Sequence, residues 1–418
     1  MRVLYSLGIF FYSIGIRVAA IGSTKARLWL HGRRNLFGRL REAISRDSKA
    51  VIWFHCASLG EFEQGRPLIE RIKTLHPQYR VLLTFFSPSG YEVRKNYQGA
   101  DIVTYMPLDT RSNARQFLEI VKPELIVFVK YEFWLNHLAE IRNRNISHYL
   151  VSAIFRSDQI FFKAHGGIFR EALKGYTHIF TQDKSSLDLL EPIGVKNISA
   201  AGDTRFDRVA EIAAGAKDIP IAASYTAENK MLVAGSTWKA DEDVLLPVMK
   251  KHFAAGWRMV IAPHEISEAR LSSIESALKA IGVSDTKMIR FSKGAINLPA
   301  DLKVLIIDNI GMLSSLYRYG TVAYIGGGFG KSIHNTLEAA VYGIPVVFGP
   351  AYEKFNEALG LISCKGGFGV HSVKELEIAI DNLLSDENHR VVAGRNAGNF
   401  VKENLGATDK IMAKLFAT

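Results

Sequence analysis

The sequence predicts an α/β protein in which two open, doubly wound parallel sheets form separate domains. Three observations point to this fold. The chain has 418 residues, enough for two or three domains. Short apolar stretches without polar alternation recur between helical stretches, a pattern typical of parallel strands buried on both faces. Between residues 208 and 229 this alternation gives way to small residues and isolated charges, which indicates a linker region.

The expected strands alternate with helices in both halves of the chain. In the first half they cover residues 51–55, 79–85, 102–105, 125–129, 149–152 and 178–181, and in the second half 231–234, 259–262, 304–307, 321–325 and 346–348. A last helix is expected at 399–416. Parallel strands end at a common edge, where open α/β sheets bind ligands, so each domain should carry a site on that rim. A cleft between the domains suits a nucleotide-linked substrate in one half and an acceptor in the other.

Composition restricts the classes of function. Hydrophobic residues make up 48% and charged residues 22% of the chain, which describes a folded protein. Cys56 and Cys364 are too far apart to suggest a disulfide framework or a zinc knuckle, and a cytoplasmic compartment fits. His55 and Cys56 are adjacent on a strand and point to opposite faces, which argues against a base–thiol pair. No spacing of His, Asp and Glu matches a metal site.

The N-terminus predicts a hydrophobic anchor over residues 1–24. Its uncharged part, residues 3–16, is shorter than the roughly 20 residues of a membrane span, although a snorkelling Arg17 would allow a marginal one. Basic residues follow without an acidic one until position 42: Lys25, Arg27, Arg33, Arg34, Arg39 and Arg41. With a net charge of +11, this favours an anionic membrane face. A helix buried in the core or in an oligomer interface is the alternative.

A glycine loop at 326–330 follows the expected strand 321–325. Strand, glycine loop and helix together direct backbone N–H groups at an anion, and Lys331 adds positive charge. Asn335 or Ser332 could cap the following helix. The loop is not a Walker A motif, because Ile325 stands where that motif needs a glycine. A simple glycine turn between strand and helix is the alternative.

Four charged or titratable residues at strand ends are candidates for chemistry. Glu61 at a helix start could be a general base, or an acid that interacts favourably with the helix dipole. Glu132 could equally be a surface acid beside a packed aromatic pair. Arg205 near the domain junction, and His264 after a strand, would each most often be structural, as a salt-bridge residue and a backbone-bonded histidine.

Five motifs together resemble one known family. They are Ser-Leu-Gly-Glu-Phe at 58–62, Glu-Phe-Trp at 132–134, Gly-Asp-Thr-Arg-Phe-Asp at 202–207, Pro-His at 263–264 and His-Asn-Thr-Leu-Glu at 334–338. In order and spacing they are similar to the 3-deoxy-D-manno-octulosonic acid (Kdo) transferases of lipopolysaccharide synthesis, over essentially the whole chain. The resemblance implies a GT-B fold, in which two Rossmann-like, doubly wound domains face each other across a cleft. It also implies a hydrophobic anchor helix at the N-terminus.

The resemblance also implies a function and a location. The family transfers Kdo from CMP-Kdo to a lipid A precursor of the lipid IVA type, with inversion and without a required metal or other cofactor, at the cytoplasmic face of the inner membrane. The implied partners are the CMP-Kdo donor, the phosphorylated lipid acceptor and the membrane, without nucleic acid. A transferase or epimerase that uses a UDP-sugar in the same cleft is the alternative. The net charge alone favours a membrane-bound scaffold or a nucleic-acid binder.

The motifs assign roles to individual residues. Glu61 matches the general base, while Glu132 and Arg205 match positions that stabilise the transition state. By the same resemblance, the segments that bind CMP contain Pro263, His264, Gly311, Met312, Leu313, Asn335, Thr336, Leu337 and Glu338. Two departures weaken the match: many members have Lys in place of Arg205, and many carry an Arg between the Pro and the His that are adjacent here.

The expected domain boundaries follow from these assignments. Residues 1–24 form the anchor, 25–210 the acceptor-binding α/β domain and 211–228 the linker. Residues 229–395 form the CMP-sugar-binding α/β domain, and 396–418 a C-terminal helix.

Overall fold

The computed structural model describes residues 2–130, 133–226, 230–294 and 298–417, and of Arg2 and Val3 only the backbone. Contacts within the chain divide it into two units. The first unit comprises Met1–Asp207 together with Gly406–Thr418, and the second unit comprises Arg208–Leu405. Each unit is described by itself.

A parallel sheet forms the centre of the first unit, with seven strands among the residues described there. Its strands are β1 (Val51–Cys56), β2 (Arg80–Phe85), β3 (Ile102–Tyr105), β4 (Leu125–Val129), β5 (Ser147–Ala153), β6 (His178–Thr181) and β7 (Ile198–Ala200). They lie in the order β3-β2-β1-β4-β5-β6-β7. The sequence reverses direction across the sheet between β1 and β4, as in doubly wound folds. The short edge strand β7 was not predicted.

Helices cover both faces of this sheet. They are α1 (Arg2–Ala19), α2 (Thr24–Gly32), α3 (Leu36–Ser45), α4 (Leu59–Leu75), α5 (Pro88–Arg94), α6 (Arg111–Val121), α7 (Leu135–Asn143), α8 (Gly167–Lys174), α9 (Lys184–Leu190) and the first turn of α10 (Thr204–Ala214), which continues into the second unit. Alternate residues along each strand point to opposite faces of the sheet and belong to two separate hydrophobic cores. Trp53 and Phe128 pack on one face of the sheet, and Phe54 and Val127 on the other. Each such side chain contributes about 1.5–3 kcal/mol by its burial, which explains the uninterrupted apolar strands.

The second unit repeats this architecture. Its strands are β8 (Met231–Thr237), β9 (Arg258–Pro263), β10 (Met288–Arg290), β11 (Val304–Ile306), β12 (Val322–Ile325), β13 (Val346–Phe348) and β14 (Gly367–Gly369). All are parallel, in the order β10-β11-β9-β8-β12-β13-β14. The prediction of two parallel α/β domains is confirmed, whereas the edge strands β10 and β14 were not predicted.

The helices of the second unit begin inside the segment expected to be a linker. They are α11 (Pro220–Tyr225), α12 (Lys239–Ala254), α13 (Glu268–Ala280), α14 (Leu313–Leu316), α15 (Leu337–Ala340), α16 (Asn356–Ser363), α17 (Val373–Ser385) and α18 (Glu387–Glu403). The segment 219–225 packs on the unit: Tyr225 is buried, and its carbonyl accepts a hydrogen bond of 2.6 Å from Arg258.

The last part of the chain forms two helices where one was expected at 399–416. Helix α18 ends at Glu403, and Gly406 adopts a left-handed conformation with φ 96°. Helix α19 (Ala407–Leu415) then begins and belongs to the first unit. The Asp207 carboxylate accepts hydrogen bonds of 2.6 Å from the N–H groups of Gly406 and Thr408, which fixes the start of α19.

Helix α1 packs on the first unit by one face only. The hydroxyl of Tyr5 donates a 2.6 Å hydrogen bond to the buried carboxylate of Asp109. The opposite face exposes apolar side chains at helical spacing: Leu4, Leu7, Phe11, Ile14 and Val18, with Phe10 beside them. We call this set the α1 stripe.

No helix in the described part of the chain combines the length and the apolar character needed to cross a membrane.

One residue of the basic cluster has a different role from the one expected. Arg33 lies over the Trp29 ring at 3.7 Å and the Tyr105 ring at 4.6 Å. Its guanidinium donates to the carbonyls of Met106, Trp29 and Phe86. Burial lowers the pKa of Arg33 to about 9. Arg33 therefore joins α2 to the ends of β2 and β3. The remaining cationic residues of the cluster, Lys25, Arg27, Arg34, Arg39 and Arg41, are exposed.

Candidate functional site

Glu61 lies in the first turn of α4, directly after the C-terminal end of β1. Its Oε2 accepts a 2.9 Å hydrogen bond from the N–H of Ser58, the residue that caps this helix. This is the reciprocal arrangement of a capping box, in which the third helical residue bonds back to the cap. The side chain is partly exposed. The carboxylate is therefore held in one orientation at the rim of the first sheet.

Arg205 lies in the first turn of α10 and is oriented by its neighbour Asp203. Arg205 Nε and Nη2 donate to Asp203 Oδ2 at 2.9 and 2.6 Å, and the Arg205 N–H donates to Oδ1. The Asp203 side chain is 7% exposed and the Arg205 side chain 23%. This shared carboxylate holds the planar guanidinium near the surface.

Buried Thr204 joins the two helices that carry Glu61 and Arg205. Its hydroxyl donates a 2.5 Å hydrogen bond to the carbonyl of Gln64 in α4, one turn after Glu61. A second contact of 3.3 Å links it to the hydroxyl of Ser152 in β5. The structure thus brings the helix starts of Glu61 and Arg205 together.

Glu132, the third predicted catalytic residue, lies outside the described residues. The aromatic residues after it belong to the core. Phe133 packs against Phe161 with ring centroids 4.4 Å apart, and Trp134 packs against Phe86 at 4.5 Å. Strand β4 ends three residues earlier, close to α4, since a Cβ on Gly65 would lie 3.1 Å from Val129 Cγ2.

Three aromatic rings stack at the C-terminal rim of the second sheet. The ring of His264 stacks on those of both Trp238 and His334, with centroids 4.6 and 4.5 Å away and interplanar angles of 29° and 26°. Trp238 Nε1 donates to His334 Nε2 at 3.1 Å, which requires neutral His334 with its proton on Nδ1. Burial and the neighbouring His264 lower the pKa of His334. We call these residues the ring stack.

The glycine loop after β12 is held from within the protein. Buried Asp241 in α12 accepts hydrogen bonds from the N–H groups of Gly327 at 2.7 Å and Phe329 at 3.4 Å. It also accepts from the N–H of Trp238 and the hydroxyl of Tyr324. The expectation that the loop directs these N–H groups at an external anion is therefore wrong for Gly327 and Phe329, because a carboxylate of the same unit already binds them.

The glycines of this loop allow close packing of neighbouring strand ends. A Cβ on Gly328 would lie 2.6 Å from Gly349 Cα, and one on Gly326 would lie 2.3 Å from the carbonyl of Ser236. Gly327 has a φ of 90°, which side chains disfavour. These glycines therefore act as spacers between the ends of β8, β12 and β13.

The segment 335–338 follows the loop and forms a compact turn. Asn335 Oδ1 accepts a 3.0 Å hydrogen bond from the N–H of Leu337, and its Nδ2 donates to Glu338 Oε1 at 3.1 Å. Thr336 and Leu337 are buried. The cap position of α15 is occupied by Thr336, without a side-chain cap hydrogen bond, so the prediction that Asn335 or Ser332 caps this helix is wrong. The helix has only four residues. Its dipole is correspondingly small.

The remaining predicted donor residues lie at neighbouring strand ends. Pro263 is buried at the end of β9. Gly311 has a φ of 99°, and Met312 precedes α14. Leu313 packs against the end of β8, since a Cβ on Gly235 would lie 3.0 Å from Leu313 Cδ1. The second unit thus places the predicted donor segments on one rim.

Several residues of the two rims escaped sequence reasoning. Thr204 and His334 belong to two of the matching motifs but carry no predicted role, and neither Trp238 nor Asp241 is predicted to belong to the site. For Asp241 a local signal exists, because it stands three residues after Trp238 at capping-box spacing. The contact between Trp238 and His334 joins residues 96 positions apart and left no local signal. Within the described ranges, no three or more His, Cys, Asp and Glu residues are grouped so as to hold a metal ion.

Comparison with known proteins relates the chain to one family. The family model described as 3-deoxy-D-manno-octulosonic-acid transferase (kdotransferase) matches residues 31–208. Curated proteins with the name 3-deoxy-D-manno-octulosonic acid transferase are similar over most of the chain. The one from Aquifex aeolicus is 28% identical over 81% of this chain and 88% of its own length. The one from Rickettsia bellii is 26% identical over 88% and 89%.

The chain is thus similar to Kdo transferases over most of its length.

The range matched by the Kdo transferase model contains Glu61, Glu132 and Arg205, whereas the predicted donor segments lie beyond it. Solved structures agree with the fold. A UDP-GlcNAc 2-epimerase from Neisseria meningitidis has a TM-score of 0.60 at 14% identity and covers 88% of this chain and all of its own. MurG from Acinetobacter baumannii has a TM-score of 0.57 at 10% identity, over 89% and 100%. At this identity the likeness concerns the fold alone, and the predicted GT-B class is confirmed.

Proposed function

We propose that this protein is a Kdo transferase, which transfers Kdo from CMP-Kdo to a phosphorylated lipid A precursor of the lipid IVA type in lipopolysaccharide synthesis, with inversion. The observation that carries the proposal is the junction of α4 and α10 through Thr204, which holds Glu61 and Arg205 at one rim. Both residues lie in the range that the family model matches, and an oriented carboxylate and an oriented guanidinium on joined helices suit sugar transfer to a hydroxyl.

Glu61 is the general base of the proposed mechanism. It removes the proton from the acceptor hydroxyl as that oxygen attacks the anomeric carbon of Kdo, while the bond to the CMP phosphate breaks. The Ser58 N–H on Oε2 fixes the carboxylate plane. A base must lie within hydrogen-bond reach of the proton it accepts. Because the Glu61 carboxylate is already oriented, it loses less conformational freedom when the acceptor binds.

Arg205 and Glu132 stabilise the charges that develop during transfer. Sugar transfer passes through an oxocarbenium-like state, in which positive charge grows on the sugar and negative charge on the leaving phosphate. The Arg205 guanidinium presents a planar fork that Asp203 holds in place. Glu132 would offer negative charge to the oxocarbenium. These roles come from the matching motifs.

The second unit binds CMP in this proposal. Pro263, His264, the turn at 311–313 and the segment 335–338 supply the binding surface. The ring stack gives His264 a fixed position from which its exposed imidazole can meet the nucleotide. The Gly327 and Phe329 N–H groups bind Asp241, so the phosphate needs a different partner. Lys331, which is exposed beside the loop, supplies the positive charge in this proposal.

The proposed location is the cytoplasmic face of the inner membrane. The α1 stripe offers an apolar surface, and the exposed basic residues that follow it attract anionic lipid. A helix with one face fastened to the unit and the other apolar fits a position in the plane of the membrane interface.

Glu61→Gln is the variant that tests the base role. The side-chain amide oxygen of this variant can still accept the hydrogen bond from Ser58 and so keeps the helix cap, whereas Ala would lose it at a cost of about 1 kcal/mol. We expect kcat to fall by about 10²–10⁴-fold with unchanged unfolding temperature. Kdo transfer from CMP-Kdo to a tetra-acylated acceptor is the assay.

Glu63→Gln on the same helix is the matched control, because Glu63 pairs with Arg94 at 2.8 Å and serves no proposed catalytic step. The Glu63→Gln variant should keep an activity near that of the unchanged protein. Glu61→Gln activity within a few-fold would remove Glu61 from the base role.

Competition between CMP and UDP for the protein separates the proposal from the alternative of a UDP-sugar enzyme. CMP should displace bound donor and UDP should not. Preference for UDP would overturn the assignment of the donor.

A further inference from the structure

A cavity of about 310 Å³ lies between α1, α2 and the turn that follows β2. Its walls are mainly apolar and include Tyr12, Ile16, Ala26, Trp29, Phe86 and Pro88. Among the described residues that line it, Lys25 alone carries a charge. This size is at the lower end of small-molecule sites, and an apolar lining of this kind suits a hydrocarbon chain.

The walls of the cavity are held rigidly. Arg33 packs on the rings of both Trp29 and Phe86, and it donates to the carbonyls of both residues. Trp29 and Phe86 also pack edge to face, with centroids 5.7 Å apart. Because a buried guanidinium joins helix α2 to the turn after β2, the space between them is preformed.

The cavity adjoins the helix start that carries Glu61. Ser87 in the cavity wall donates its N–H to the carbonyl of Ala57 at 2.8 Å. Ala57 directly precedes Ser58, which caps α4 and bonds to Glu61. At Gly90 in α5, a Cβ would lie 3.2 Å from the N atom of Leu59. A molecule seated in the cavity can therefore extend towards the helix start that carries Glu61.

We propose that this cavity binds one acyl chain of the phosphorylated lipid acceptor and so sets the position of its sugar at Glu61. The inference rests on the proposed function. Continuity with the Glu61 rim selects the acceptor over a bilayer lipid, whose head group has no partner there. Lys25 at the cavity and exposed Arg27 on the same helix supply positive charge for the acceptor phosphates. The α1 stripe on the other side of the helix leaves the remaining chains in the membrane.

Ala19→Trp tests the proposal by filling the cavity. Ala19 lines the cavity at the exposed end of α1, so that the larger side chain leaves the core untouched. We expect the KM for a tetra-acylated acceptor in detergent micelles to rise by about tenfold or more, as is usual when a hydrophobic pocket loses the space for a methylene. The KM for CMP-Kdo and the KM for a deacylated, water-soluble acceptor should not change.

Ala20→Trp is the matched control, since Ala20 is the next residue and does not line the cavity. An equal rise in KM for both acylated and deacylated acceptors, or no rise for either, would overturn the acyl-chain site. If the unchanged protein transfers Kdo to no acceptor, the proposed function fails instead, and the two failures are thereby distinct.

A second measurement needs no variant in the cavity. An acceptor with brominated acyl chains should quench the fluorescence of Trp29, and the quenching should be lost in Trp29→Phe. Brominated phospholipid vesicles without acceptor should quench Trp29 much less. Equal quenching by the vesicles would assign the cavity to a bilayer lipid and contradict the proposal.

Discussion

The two rims of this protein differ in how they hold their functional groups. At the rim of the first unit, charged side chains are fixed by hydrogen bonds to helix starts: Glu61 to Ser58, and Arg205 to Asp203. At the rim of the second unit, the buried carboxylate of Asp241 binds backbone N–H groups and supports the ring stack. The first rim presents charge directly, whereas the second uses the charge of Asp241 internally to hold the loop and the ring stack.

This difference fits a division of labour between acceptor and donor. In the proposed mechanism, charges at the first rim act on bonds that form and break, so their orientation matters most. In the same proposal the second rim meets a nucleotide, which needs a surface of fixed shape. The strand ends of the second unit approach so closely that glycines separate them, and Asp241 holds the loop in that arrangement. Changes at the second rim should therefore affect folding first, and changes at the first rim activity first.

The largest expected effect is that of Asp241→Ala. The substitution leaves three backbone N–H groups and the Tyr324 hydroxyl without their acceptor in a buried place. We expect the free energy of unfolding to fall by about 4 kcal/mol, measured by urea denaturation, together with loss of CMP binding. Asp243→Ala is the control, because Asp243 is half exposed and pairs with Lys239 on the surface. A loss below about 1 kcal/mol for Asp241→Ala would contradict internal support of the rim.

Thr204→Val should have an intermediate effect and should separate activity from stability. Valine keeps the shape of the side chain but loses the hydrogen bond that joins α10 to α4. We expect a loss of about 1–2 kcal/mol in unfolding free energy. A fall in kcat of about tenfold or more should follow, because α10, which carries Arg205, is no longer hydrogen-bonded through Thr204 to α4, which carries Glu61.

Thr204→Ser retains the hydroxyl and should restore kcat. If Thr204→Val lowers stability and leaves kcat unchanged, the junction is structural only, and the contrast between the two rims weakens.

The smallest expected effect is a pH dependence of stability due to His334. Its pKa in the folded protein is lowered by burial and by His264, while Asp241 acts in the opposite direction. The unfolded chain, with a pKa of about 6.5, therefore binds the proton at higher pH than the folded protein. This contribution to stability is complete above the unfolded pKa and is lost as the pH falls through the folded pKa.

Urea denaturation of the unchanged protein and of His334→Gln at about pH 7.5 and about pH 5 measures this contribution. His148 and His178 also have lowered pKa values, but they are present in both proteins and cancel. The destabilisation at low pH should be smaller in His334→Gln. An equal pH dependence in both proteins would show that His334 does not titrate differently on folding.

The central strands could be predicted from sequence, but the edge strands could not. Strands such as β1 and β4 are buried on both faces and read as uninterrupted apolar runs. Strand β14 consists of Gly-Phe-Gly, and β7 of Ile-Ser-Ala, so neither carries a recognisable pattern. Three residues are too few for a period of two to be recognised.

For the functional sites too, contacts between residues close in sequence could be predicted, and contacts between residues far apart in sequence could not. Glu61 could be placed because its cap, Ser58, lies three residues away. The glycine loop was recognised as a loop, but its partner Asp241 lies 86 positions before Gly327, so the direction of its N–H groups could not be read from the motif. Arg33 was assigned to a basic surface because the aromatic rings that bury it come from three separate elements.

Helix α19 has a consequence for synthesis of the chain on the ribosome. Its side chains Ile411, Met412 and Leu415 belong to the same core as Phe54 and Val127 of the first unit. The Asp207 carboxylate binds the N–H groups of Gly406 and Thr408, which are translated after all of the second unit. The unit translated first is thus completed last. Its core lacks the side chains of α19 until translation ends, while the second unit can already fold.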